Sequence, residues 1–109
     1  MPKYKKPDKI SERSLKKGNG NIFIDLGYSE PEAINIVARL QLMLQIEEII
    51  KKRGWTQDKA AKILKLQQPR VSELMSGRSE KFTVDMLMKL LDRLGKRVII
   101  SIQPKHDVA

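Results

Sequence analysis

The segment from Thr56 to Leu74 constrains the fold of this chain more than any other part of its sequence. Its apolar residues recur at helical spacing on either side of a short polar interruption, which predicts two short helices joined by a tight turn. Thr56 is a good N-cap for the first helix, which we expect to end near Leu64. Pro69 suits the first turn of the second helix, which we expect to end before Gly77. The sequence therefore predicts a pair of helices over residues 56–76.

Two further helices are predicted on either side of this pair. Residues 29–32 have the Ser-x-x-Glu form of a capping box, and apolar residues then recur every three or four positions. This pattern predicts a helix of about 24 residues with one buried face, stopped by Gly54. Thr83 is expected to cap a fourth helix, whose apolar stripe ends at Leu94.

Both ends of the predicted domain alternate in a way that is typical of short strands. Three residues of the first segment, 21–26, share one face: Ile22, Ile24 and Leu26. Three residues of the second segment, 96–103, do the same: Val98, Ile100 and Ile102. An isolated two-stranded ribbon is marginal in water, so these strands must pair with each other, with the helical core or with a second copy. We expect a mainly α domain of four to five helices over residues 21–104, with flanking β-strands at 21–26 and 96–103.

Residues 1–20 have the composition of a disordered segment. They contain two prolines, two glycines and seven lysine or arginine residues against two acids, with Ile10 and Leu15 as their aliphatic residues. Such a segment cannot bury enough apolar surface to offset the entropy that is lost when it is ordered. The sequence thus predicts a basic, disordered N-terminal tail.

The charge of the chain is distributed unevenly. The formal net charge is +9, and residues 51–81 carry nine basic residues against three acids, whereas residues 29–49 carry four glutamates against Arg39. A local basic patch attracts a polyanion and releases its condensed counterions. Basic proteins are also common, so the charge by itself does not establish nucleic-acid binding.

Several classes of protein are disfavoured by what the sequence lacks. It has no cysteine and no run of about 18 apolar residues, which excludes disulfides, thiolate metal sites and a membrane span, and a secretory signal is not expected. The single histidine, His106, lies in a polar segment after Pro104, where we expect it to be exposed. No glycine-rich phosphate loop follows a strand. We expect a cytoplasmic protein that is not an enzyme and that has no cofactor or metal.

The second helix of the pair opens with side chains that can reach base edges. Gln68 can hydrogen-bond adenine N6 and N7, Arg70 can hydrogen-bond guanine O6 and N7 or grip a phosphate, and Ser72 can meet a base or a phosphate. Val71 and Leu74 face the opposite side and are expected to anchor the helix to the core. The pattern favours a helix that lies in the DNA major groove.

Residues around this helix suit the phosphate backbone. Gln57 opens the first helix of the pair, where the backbone amides and the helix dipole favour a phosphate. Arg78 and Lys81 follow the second helix and suit the flanking backbone. Glutamine, arginine and serine are also ordinary solvated residues, so a protein-interaction module without a DNA role is the alternative.

The segment from Tyr28 to Gly95, together with the residues just before it, contains a distinctive combination of short sequence motifs. They are Asp25-Leu26-Gly27-Tyr28, Pro31-Glu32-Ala33, Arg39, Thr56-Gln57, Ala60-Ala61, Gln68-Pro69-Arg70-Val71-Ser72, Leu74, Gly77, Lys81-Phe82 and Leu87. On these residues the chain resembles the antitoxin branch of the xenobiotic-response-element (XRE) helix-turn-helix family, the HigA-like proteins. The resemblance implies an XRE/Cro-type helix-turn-helix domain that binds double-stranded operator DNA.

The resemblance also implies a set of partners. HigA-like antitoxins pair with a ribosome-dependent mRNA nuclease of the RelE/HigB type and repress their own operon. A homodimer is the default expectation, because operator symmetry usually mirrors protein symmetry. Candidate toxin-binding surfaces are the N-terminal tail, the predicted strand and the acidic first helix. The alternative is a phage or chromosomal XRE-type repressor without a toxin partner.

Two positions depart from the family's pattern. Lys65 stands in the turn where the family usually has glycine, and it is strained if the turn needs a positive φ there. Gln67 replaces the usual serine cap of the second helix. It is a weaker cap, and it can instead add a base or phosphate contact.

Overall fold

The computed structural model describes residues 21–105 of the chain. The predicted tail at residues 1–20 and His106 lie outside the described residues. The described part consists of α-helices and one 3₁₀ turn, in the order α1 (Asn21–Asp25), α2 (Glu30–Lys52), α3 (Gln57–Leu64), α4 (Gln68–Met75), the 3₁₀ turn (Ser79–Lys81) and α5 (Val84–Arg93). None of the helices within this range has the length and apolarity that a bilayer crossing requires.

The predicted capping residues begin three of these helices. Ser29, Thr56 and Thr83 each accept a hydrogen bond from the backbone amide three residues later, at 3.3, 3.1 and 3.1 Å. A cap of this type contributes about 1 kcal/mol to helix stability. Gln67 precedes α4 without a side-chain cap hydrogen bond, as expected for a weaker cap. The predicted starts of α2, α3 and α5 are confirmed.

The predicted strand at residues 21–26 is wrong, because this segment forms the helix α1. The amide of Leu26 donates to the carbonyl of Ile22 at 3.2 Å, which is a helical bond. Phe23, placed on the opposite face from the aliphatic residues in the strand prediction, is fully buried, while Ile24 and Leu26 are 42% and 62% exposed. As a helix, this segment packs the Phe23 ring against α2. A strand would have needed a second strand as its hydrogen-bonding partner.

The predicted strand at residues 96–103 is also wrong for the described chain. These residues have no regular secondary structure. Val98 packs against the main core, but Ile100 and Ile102 are 70% and 95% exposed. Alternation is typical of a strand, but a strand needs a hydrogen-bonding neighbour, and within residues 21–105 no strand lies alongside this segment. The fold class is therefore mainly helical without the flanking strands.

The core has two parts, which lie along the two halves of α2. The N-terminal half of α2 packs on α1 through a small cluster: Phe23, Ala33, Ile36, Val37, Leu40 and Leu44. The C-terminal half packs on α4 and α5, which also pack on α3. These helices share the main cluster: Met43, Ile46, Ile50, Ala60, Ala61, Leu64, Val71, Leu74, Phe82, Leu87, Leu90, Leu91 and Leu94. The long helix α2 thus serves as the backing on which the α3–α4 pair is mounted.

The turn between α3 and α4 has a positive φ at Lys65, which is the condition under which strain is expected there. Lys65 has φ +57° and ψ +44°, in the left-handed region that favours glycine. Its amide and that of Leu66 both donate to the carbonyl of Ala61, which ends α3 in a Schellman-type arrangement. Lys65 is therefore a non-glycine residue in a conformation that favours glycine.

Candidate nucleic-acid interface

Helix α4 is fixed to the core by one face and presents the other to solvent. Val71 and Leu74 are both 0% exposed, as predicted for the anchoring side. Five residues at the start and along the opposite face are exposed: Gln67, Gln68, Pro69, Ser72 and Ser76. Since residues four apart share a face of a helix, Gln68 and Ser72 point in the same direction. The helix is therefore rigidly mounted with its predicted reading residues outward.

Arg70 lies at the edge of α4, between the exposed and the buried face. Its guanidinium carbon is 4.4 Å from the centre of the Phe82 ring, over whose face it lies. Its Nη2 atom is 3.2 Å from the sulfur of Met86, and its Nη1 atom is 3.5 Å from the carboxylate of Glu73. The side chain is 29% exposed. Arg70 thus joins α4 to the start of α5 as well as facing the surface in part.

The exposed face of α4 carries no formal charge. The two charged residues of the helix are Arg70 and Glu73, which are half-buried and paired with each other. The positive charge lies on the neighbouring segments instead. Exposed lysines occur on α3, in the turn and in the 3₁₀ segment: Lys59, Lys62, Lys65 and Lys81. The outer face of α4 is thus neutral, and its flanks are cationic.

The predicted phosphate-contacting residues differ in accessibility. Gln57 at the start of α3 and Lys81 at the end of the 3₁₀ turn are exposed. Arg78 is half-buried, and its Nε atom lies 3.5 Å from the Glu80 carboxylate without forming a hydrogen bond. An arginine held in this way is less free to approach a phosphate than a lysine at the surface. The DNA roles of these three residues stay predictions.

Two arginines fix the segments on either side of α4. Arg39 on α2 donates from Nη1 to the carbonyl of Ser79 at 2.7 Å, which fixes the 3₁₀ turn after α4. Arg93 at the end of α5 donates to the carbonyl of Leu64, at the end of α3. The partners are 40 and 29 positions apart in the chain. No spacing pattern reports such distant contacts, so sequence reasoning missed these positioning roles.

A model of the helix-turn-helix domain family matches residues 22–103, which span α2 to α5 and nearly all of α1. No curated protein and no solved structure shows significant similarity to the chain. The family match agrees with the geometry of α3 and α4, and it is broader than the HigA-like antitoxin branch. The chain belongs to the helix-turn-helix domain family, a class of DNA-binding domain.

Proposed function

We propose that the protein is a sequence-specific transcriptional regulator that inserts α4 into the major groove of double-stranded operator DNA. The single observation that carries this proposal is the mounting of α4. Val71 and Leu74 are fully buried, so the helix is rigid, while Gln67, Gln68 and Ser72 are exposed on it. Polar side chains on a rigid, protruding helix are what direct readout of base edges requires.

The charge around α4 supports the same proposal. Residues 51–81 carry a net charge of +6, from nine basic and three acidic residues. Lys59 and Lys62 on α3 and Lys81 after α4 are exposed, so they can approach the phosphates on either side of the groove. Gln57 at the N-terminus of α3 suits a phosphate through the helix dipole. Repression of transcription then follows if the bound site overlaps a promoter.

A homodimer is part of the proposal, and the C-terminal segment supports it. Residues 97–104 have no regular secondary structure, and within the described chain their backbone groups form no backbone–backbone hydrogen bonds. Ile99, Ile100 and Ile102 are highly exposed there. A segment with unpaired backbone groups and exposed apolar side chains can pair with a strand of another chain.

We further propose that the regulator is the antitoxin of a toxin–antitoxin pair. The resemblance to HigA-like proteins supports this, and so does the surface at the start of α2. Glu30 and Glu32 stand there, and Ile24, Leu26 and Ile34 nearby in sequence are exposed apolar residues. A surface that combines acids with exposed aliphatic side chains suits a basic partner protein. The partner in this proposal is an mRNA nuclease of the RelE/HigB type.

Titration with DNA from the protein's own upstream region tests the regulator proposal. We expect a sequence preference over a scrambled duplex of equal length, together with a steep fall in affinity as salt is raised. Equal affinity for both duplexes would contradict it.

Co-purification from the native operon tests the antitoxin proposal separately. Recovery of a basic protein encoded by the neighbouring reading frame, bound to this chain at a one-to-one ratio, would support it. Recovery of this chain alone would favour regulation without a toxin.

A further inference from the structure

We propose that α4 selects A·T base pairs through neutral side chains, and that Arg70 is a positioning residue rather than a reader of guanine. This inference rests on the proposed function, because it assumes that α4 enters the major groove. It goes further by naming the class of base pair that the groove must present and by assigning a different task to the one arginine on the helix.

Arg70 is held on the protein side of the helix by three contacts. Its guanidinium lies over the buried ring of Phe82, and it also contacts the sulfur of Met86 and the carboxylate of Glu73. Cation–π contacts gain strength when they are shielded from water, and this ring is 2% exposed. To grip O6 and N7 of guanine, the side chain would have to leave all three partners. It would also leave half-buried Glu73 without its cation.

The groups that remain free at the leading end of α4 favour adenine and thymine. Gln67 and Gln68 are exposed, and a glutamine amide matches the N6 donor and N7 acceptor of adenine. The exposed ring of Pro69 is apolar and suits the methyl group of thymine, while Ser72 can bond to any base. Bidentate recognition of guanine uses arginine or lysine, and no other cationic residue lies on this helix.

The contacts of Arg70 also explain what it contributes to binding. Phe82 follows the 3₁₀ turn that carries Lys81, and Met86 lies in the first turn of α5. Through these two residues Arg70 fixes the base-reading face of α4 relative to the phosphate contact expected at Lys81. A misplaced reading face weakens a site without changing which bases fit it.

Selection of binding sites from a random duplex library, with the full chain, tests the inference. The expected consensus contains A·T pairs at the positions that α4 protects in a footprint. Gln68→Ala should lower affinity for the selected site about tenfold and remove the preference at one A·T pair. Gln45→Ala, which changes an exposed glutamine on α2, is the matched control and should change neither quantity.

Arg70→Ala should lower the affinity for the selected DNA site, while the consensus sequence stays the same. The double variant with Lys81→Ala should be measured at a temperature well below unfolding. Its loss of affinity should be smaller than the product of the two single losses, because Arg70→Ala already displaces the contact of Lys81. If Arg70 only stabilises the fold, the loss of affinity in the double variant should equal the product of the two single losses. That result would overturn the positioning role. A consensus G·C pair whose preference disappears in Arg70→Ala would overturn the base assignment. If the folded wild-type chain enriches no sequence, the regulator proposal itself fails.

Discussion

Arg39 and Ser79 join the long helix α2 to the segment that follows the reading helix. The Arg39 guanidinium donates to the Ser79 carbonyl at 2.7 Å, and Ser79 is almost fully buried. The same carbonyl accepts a second hydrogen bond from the amide of Phe82 at 3.2 Å. The 3₁₀ turn is therefore held from outside by α2 and from within by its own backbone.

Replacing Arg39 by methionine should destabilise the fold by about 1–2 kcal/mol, because a charge-assisted hydrogen bond is lost while the packing of the side-chain stem is kept. The free energy of unfolding in urea is the measurement. Asn35→Met, an exposed position on the same helix, is the control and should leave that free energy nearly unchanged. An unaltered urea midpoint for Arg39→Met would mean that the bond to Ser79 contributes no net stability.

Lys65 should respond to substitution in the opposite way from an ordinary helical residue. Its positive φ costs energy for any side chain, so Lys65→Gly should raise stability by up to about 1 kcal/mol, and Lys65→Val should lower it by more than about 1 kcal/mol. Lys62→Gly in the interior of α3 is the matched control and should lower stability by about 1 kcal/mol. Equal losses for both glycine variants would show that the turn is not strained.

Lys81→Ala should weaken DNA binding almost equally on specific and unrelated sequences. We propose that this exposed lysine beside α4 contacts a phosphate, so its removal should reduce the slope of log K against log salt by about one unit. Lys89→Ala, at an exposed position of α5 outside the basic segment 51–81, removes the same charge and should change this slope less. A loss confined to one base pair of the site would instead make Lys81 a base contact.

Deleting the chain from Lys96 onward should shift the protein to a monomer, if the exposed C-terminal segment pairs between two copies. Sedimentation or light scattering across a concentration series measures this. Ile100→Asp should have the same effect in the full chain, because it places a charge in the paired segment. Ser101→Thr, which preserves strand propensity, should not. A dimer that survives the deletion would place the interface elsewhere.

The helical frame could be predicted from sequence because each signal is local. Caps at Thr56 and Thr83 and the three-and-four spacing of apolar residues depend on neighbours within one or two turns. The two predicted strands failed for a different reason. Short alternation fits both a strand and a helical turn, and in α1 the docking of Phe23 on α2 decided between them. Segment 96–103 lacks a neighbour in the described chain that would make it a strand.

The site could be predicted as a set of residues but not as an arrangement. The exposure of Gln68 and Ser72 follows from their helical register opposite Val71 and Leu74. The half-buried state of Arg70 does not, because it depends on Phe82 and Met86, which lie 12 and 16 positions along the chain. The periodicity of one helix does not predict a cation–π contact with an aromatic ring on another segment, such as that of Arg70 with Phe82.

The division of α4 into a buried anchoring side and an uncharged outer side has an evolutionary consequence. Gln67, Gln68 and Ser72 take no part in the core, so replacing them costs the fold little. The lysines that we propose contact the DNA phosphates stand on other segments and are untouched by such changes. A new binding site can therefore arise by one or two substitutions, and duplicated copies of this chain could diverge in target while sharing one scaffold.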